Sequence, residues 1–251
     1  FRGLIEGCAD LGPRDPRLQL EADGRLATYY APFEHVQRGA KIVIVGITPG
    51  PTQASGALGT LRAGLQEGLS EADALGRAKG VASFSGPLRQ NLVEMLDHVG
   101  LHGALGLASS ADLFAAGGSL AHFTSVLRYP VFLDGKPYAG NPPIWRTPAL
   151  KAQADRWFAE ELDSLPDAYW IPLGVEPADV LRRYVAAGRL RADRLLDDMI
   201  HPSPQSIERV MYFLGRKPRE KLSSRTNADI VDGKVARLRA KLGDVSAEVA
   251  Q

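Results

Sequence analysis

The sequence predicts an α/β protein, a three-layer α/β/α sandwich around a central, mostly parallel four-stranded sheet. Three observations predict it. Two runs, KIVIVG (41–46) and AYWIPL (168–173), are almost continuously apolar, as strands are when helices cover both faces of a parallel sheet. Segments of helical period alternate with such runs. With 251 residues and 45% hydrophobic content, the chain can bury one full core.

The elements follow in order. Residues 1–40 read as an N-terminal extension, and KIVIVG is the first strand. Gly- and Pro-rich loops follow at 48–60 and 80–87. Leu88, Leu92, Met95, Leu96 and Val99 carry helical spacing, and HFTSVL (122–127) is the second strand. The segment 128–148, RYPVFLDGKPYAGNPPIWRTP, has five prolines and no obvious element, as a functional or mobile loop would. Leu150, Ala154, Trp157, Phe158, Leu162 and Leu165 predict a helix, and AYWIPL is the third strand. Val180, Leu181, Tyr184 and Val185 predict another, with Pro177 at its start. DDMI (197–200) reads as a short fourth strand. Two helices close the chain, one on Ile207, Val210, Met211 and Leu214, one on Val231, Val235, Leu238 and Leu242. Residues 246–251 read as a frayed tail, and 1–251 as a single domain.

Composition narrows the function. No run approaches the roughly 18 apolar residues of a membrane span, and no secretory signal is visible, so no membrane partner is expected. Cys8 is the only cysteine, which excludes an intrachain disulfide, an iron–sulfur cluster held by several thiolates and a zinc finger. It suits a reducing cytoplasm, and the expected location is cytoplasmic, on the nucleoid in a bacterium. No metal or organic cofactor is expected. Net charge is +1, so any nucleic-acid role rests on a local basic patch.

Four segments carry chemistry. GITPGPTQA (46–54) follows the first strand, where ligands sit at the carboxyl ends of an open parallel sheet. Its glycines allow close backbone approach, and Pro49 and Pro51 fix the path; an ordinary strand-to-helix turn would look the same. VASFSGPLRQNL sets Phe84 among small residues, where a ring can face a planar base or fold into the core. Thr124 and Ser125 fall near the end of the second strand. HPSPQS (201–206) places His201 at a strand end before a Pro-stiffened turn. Ser206 there is also a plain helix N-cap. GRKPREKLSSR (215–225) holds Arg216, Lys217, Arg219, Lys221 and Arg225, a solvated face or a DNA-backbone contact.

Together these segments resemble the uracil-DNA glycosylase superfamily over roughly residues 41–214. HPSPQS resembles its second motif, HPSP followed by an intercalating residue. GITPG resembles the first motif of the mismatch-specific and single-strand-selective branches, and GPTQASG the continuation found in the uracil-specific branch. SFSGPLRQNLVEMLDHVGL, and FTSVLRYP through NPPIWRTPAL, resemble the iron–sulfur branch.

The resemblance implies a monomeric glycosylase that flips uracil out of DNA, cleaves its N-glycosidic bond and leaves an abasic site and free uracil, as in base excision repair. It implies that Phe84 sandwiches the base and that His201 donates to uracil O2. Ser203 and the turn backbone would grip a phosphate, with Pro204 and Ser206 in the same contact and Gln205 as the wedge. Backbone amides near Ile47 and Gln53 would line the O2 side, and Pro49 and Gly50 would lie against the DNA.

The chain departs from that pattern at two roles. Thr48 stands where an Asp or Asn usually positions the water, and Ser125 where an Asn usually reads uracil; Asn141 is a substitute reader. It also lacks the cysteines of the iron–sulfur branch. A uracil-DNA-binding protein with little turnover is the alternative.

Overall fold

The computed structural model describes residues 1–115 and 118–249. Its strands are β1 (Gln19–Asp23), β2 (Leu26–Tyr29), β3 (Ile42–Gly46), β4 (Ala121–Ser125), β5 (Val131–Leu133), β6 (Lys136–Pro137) and β7 (Tyr169–Pro172). Its α-helices are α1 (Arg2–Gly7), α2 (Pro51–Gln66), α3 (Glu71–Ala82), α4 (Pro87–Val99), α5 (Leu101–Ala104), α6 (Pro148–Gln153), α7 (Ala159–Ser164), α8 (Val175–Ala186), α9 (Ile207–Phe213) and α10 (Ala228–Val249). A π-helical turn, Ala154–Phe158, joins α6 to α7 into the helix expected from Leu150 to Leu165.

The α/β class holds, and the sheet differs from expectation. The parallel sheet has three strands in the order β4-β3-β7. Alternate residues of β3 serve two cores. Ile42 and Ile44 pack with α4, α5, α9 and α10, for example on Leu96, Phe213 and Leu238. Val43 and Val45 pack with α6, α7 and α8, on Leu150, Leu162 and Leu181. Helices thus cover both faces, which explains why the strand is apolar throughout.

The fourth parallel strand expected at 197–200 is not formed. The chain touches β7 at one bridge, Trp170 to Leu195, and then turns away. Asp197 and Asp198 are the cause: Arg182 and Lys241 hold the first, Arg237 and Lys234 the second. A strand would swing one of two successive carboxylates away from its cations.

A second sheet, β1-β2-β5-β6, is antiparallel. It corrects two expectations. Residues 1–40 are an integral part of the fold: Ile5 and Leu18 are buried against Leu58 and Leu61 of α2. The 129–148 segment contains the β5–β6 hairpin, turned by Asp134 and Gly135 at φ +49° and +71°. Both residues in the left-handed region is the tight Asp-Gly hairpin geometry. The loop expected at 48–60 is mostly α2, and Pro177 is the third residue of α8 rather than its first. α10 runs through Val249, so the expected tail is helical that far; residues 250–251 lie outside the described residues.

Candidate site at the carboxyl edge of the parallel sheet

β3, β4 and β7 run in one direction, so their carboxyl ends share one edge. Gly46, the last residue of β3, pairs with Ser125, the last of β4. A Cβ on Gly46 would stand 3.2 Å from the Phe84 ring and 3.2 Å from Ser125 Oγ. A side chain there would press on both ring and hydroxyl. Phe84 holds φ +53°, a left-handed conformation that costs a non-glycine residue about 1–3 kcal/mol. Its ring is 7% exposed and lies edge-on to Phe123 at 6.1 Å. The sequence offered a free stacking face or a core residue; the structure places Phe84 as a buried wall.

Pro49, Gln53, Phe84, Thr124, Ser125 and Arg128 line a narrow cleft here. Its interior is about 10 Å³, room for one water molecule and far less than a pyrimidine ring needs. Ile47, Asn141 and His201 do not line it. Gln53 Oε1 accepts from Gly50 N at 3.2 Å, closing the first turn of α2. Thr124, buried in the same wall, has a hydroxyl with no hydrogen-bond partner among the described residues. The sequence pointed to both residues at this strand end and gave the base-reading role to Ser125, while Thr124 carries the unused polar atom.

Thr48 is placed differently from expectation. Its Oγ1 donates to Tyr129 O at 2.9 Å and accepts from Val131 N at 3.1 Å. The hydroxyl proton is committed to tying the first motif to β5, so it is not available to hold an attacking water.

His201 sits beyond β7. Gly174, at φ +93°, ends the strand, and a Cβ on it would stand 3.2 Å from His201 Cβ. His201 Nδ1 accepts from Ser203 N at 3.2 Å. Burial lowers the imidazole pKa below its ordinary value. The ring is therefore neutral near pH 7 with its proton on Nε2. The turn is pinned from outside: Asn91 Nδ2 donates to Pro202 O at 2.9 Å. Asn91 was not singled out from sequence; its place one turn into the helix after SFSGP was the available signal. Pro204 and Gln205 are exposed, Ser203 and Ser206 half-buried. Ser206 occupies the N-cap of α9 without a side-chain capping bond. Ile47 packs toward the Gly140 loop, and Asn141 on that loop is exposed.

The basic run is mostly neutralised. Arg216 pairs with Glu94, Lys217 with Glu208, and Arg219 with Asp229 and Asp232. Lys221 and Arg225 have no carboxylate within 4 Å among the described residues.

A buried ion network behind β4 was not anticipated. His122 Nε2 lies 2.7 Å from Glu161 Oε2, and Arg128 Nε lies 2.7 Å from Glu161 Oε1. Burial, and then the charge of Lys79, push His122 down to about 4. Burial alone would raise the Glu161 carboxyl; Lys79, the His122 hydrogen bond and Arg128 outweigh it and hold Glu161 at about 2.

These features define a mixed α/β protein with a narrow cleft beside Gly46 and a stiffened histidine turn along one sheet edge. The chain belongs to the family of YoxB of Bacillus subtilis (strain 168), described as an uncharacterized protein. The two are 35% identical over 221 residues, 87% of this chain and 86% of that one. No family model matches the chain. No solved structure matches it either. Among the described residues, no helix is long and apolar enough to cross a membrane.

Proposed function

We propose that this chain acts on uracil in DNA as a monofunctional glycosylase of the three-layer α/β type. The observation that carries the reading is the convergence of Gly46, Phe84 and Ser125, from three separate segments, at the edge where His201 also stands. A flipped base would enter by displacing the Phe84 ring from Gly46. Thr124 and Ser125 hydroxyls would meet the base edge. The glycosidic bond breaks to leave a cationic sugar and a uracil anion. His201 Nε2–H donates to the charge developing on O2, which favours the transition state over the ground state. Ser203 and Gln205 lie on the accessible side of the turn for backbone contact and insertion. The protein acts as a monomer in the cytoplasm, with abasic DNA and free uracil as products.

A specific observation favours a second reading, a uracil-DNA-binding protein with little turnover. Thr48 has its proton engaged by Tyr129 O, so no side chain of the first motif is free to activate water. One incubation separates the two. Uracil-containing oligonucleotide is mixed with the protein and then treated with alkali. Strand scission supports the enzyme, a retained complex without scission supports the binder, and the absence of both scission and complex refutes both readings.

A further inference from the structure

A second and much larger cavity, about 550 Å³, lies along the amino-terminal half of β4, between α3, His35 and Phe114. That is within the usual range for a small-molecule site. Its polar lining holds three cations, Arg77, Lys79 and Arg89, of which Arg77 is paired with Glu67. Lys79 is 3% exposed, and its ammonium donates one hydrogen bond, to His35 O at 2.6 Å. It has no carboxylate within 4 Å among the described residues, and two of its three N–H groups go unused there. Arg89 also has no carboxylate within 4 Å among the described residues. Its Nη2 grips the carbonyls of Gly80, Val81 and Ser83 at 3.1, 2.8 and 2.5 Å. Its plane lies 4.8 Å over the Phe114 ring, and Nη1 has no partner among the described residues. The imidazole nitrogens of His35 have none either, and its ring stands against Gly76, where a Cβ would meet it at 3.3 Å. Asp73 is the only carboxylate in the described lining.

An ammonium is rarely buried without an anion in direct contact, and Glu161 acts on Lys79 only at a distance. Here three groups able to donate, from three segments, line one cavity walled elsewhere by Leu113, Phe114 and Phe123. We propose that this cavity binds a small organic anion, a carboxylate- or phosphate-bearing molecule, with its charge against Lys79 and Arg89 and its carbon skeleton along Phe123. The site is distinct from the cleft at Gly46 and does not depend on the glycosylase reading.

The test is calorimetric titration of the full chain with citrate, adenosine 5′-monophosphate and inorganic phosphate. The nucleotide carries no uracil, so the proposed base cleft does not select it. Saturable binding of citrate or the nucleotide, tighter than that of phosphate, is expected, and the tighter of the two identifies the charged group. Lys79→Met should weaken it at least 10-fold. Gly80→Phe gives a second arm: Gly80 is in α3, lines the cavity, and a Cβ there meets nothing within 4 Å. The phenyl ring should fill the space, keep the helix and weaken binding at least 10-fold. His201→Ala should leave binding unchanged and affect excision alone. No saturable binding of the organic probes, phosphate binding as tightly as either, or full affinity in Gly80→Phe would overturn the proposal.

Discussion

The backbone N–H of Ser203 donates to Nδ1 of His201 across 3.2 Å. That bond decides the chemistry available to the ring. With Nδ1 occupied as an acceptor and the pKa lowered by burial, the imidazole carries its one proton on Nε2. The prolines at 202 and 204 stiffen the turn that sets this geometry.

His201→Ala should therefore cut single-turnover excision of uracil by about 10²–10³, the usual size of one preorganised donor. His201→Gln should recover part of that rate, because a neutral donor suffices. Affinity for uracil-free DNA should change little in either variant. Excision near the wild-type rate in His201→Ala would make the residue structural.

Thr48 has a different task. Thr48→Ala removes the acceptor of Val131 N and the donor to Tyr129 O. A buried N–H left without a partner costs about 1–3 kcal/mol, so urea unfolding should shift by that amount. Thr48→Ser should restore it. Turnover should fall less than in His201→Ala, since the Thr48 proton is already engaged. A larger kinetic loss at Thr48 than at His201 would contradict this assignment.

The parts legible in the sequence were those whose cause is local. Apolar runs marked β3, β4 and β7 because both faces of each are buried. Asp-Gly at 23–24 and 134–135 also carried a hairpin signal, hidden at 134–135 by the surrounding prolines. The first part of α2 was read as loop because of its glycines and prolines, yet Gly56 and Gly59 are helical positions where a Cβ would meet nothing within 4 Å. DDMI misled because Met199 and Ile200 are buried without belonging to a strand. The network of Lys79, His122, Arg128 and Glu161 joins distant segments, and no spacing rule reaches it. The motif segments were visible, but the burial of Phe84 and the engagement of Thr48 depend on partners far away in the chain.

Binding to DNA should weaken with salt, and the charges responsible should not be those the sequence emphasised. Arg216, Lys217 and Arg219 already face carboxylates, while Glu208 also accepts from Ser223 and Thr226 to hold the loop on α9. Each phosphate contact contributes about 0.9 to the slope of log affinity against log salt. Replacing Lys221 and Arg225 by Gln should lower the slope by up to about 2. Replacing Arg216, Lys217 and Arg219 should lower it by less than that. An anisotropy titration at several salt concentrations checks both, and the opposite order would show that the paired residues exchange their carboxylates for phosphate.

The last prediction concerns pH and the buried pair His122 and Glu161. Burial holds His122 at about 4 in the folded protein, against about 6.5 for an ordinary imidazole. The unfolded chain thus binds a proton that the folded one refuses, and stability falls as pH drops from about 6.5 toward 4. Linkage over that window gives a loss of about 2 kcal/mol between pH 7 and pH 5 from this residue alone. Glu161, held at about 2, adds a loss of the same sign below about 4.5. His35, His98 and His201 are shifted in the same direction as His122, so a residual slope belongs to them. Urea unfolding at pH 7 and pH 5 should show the loss in the wild type and a clearly smaller one in His122→Asn. Glu161→Gln at pH 7 leaves Arg128 without its buried paired carboxylate and should cost about 3–5 kcal/mol. If His122→Asn keeps the full wild-type slope between pH 7 and pH 5, His122 is charged in the folded protein and the polarity of the network is the reverse of the one described.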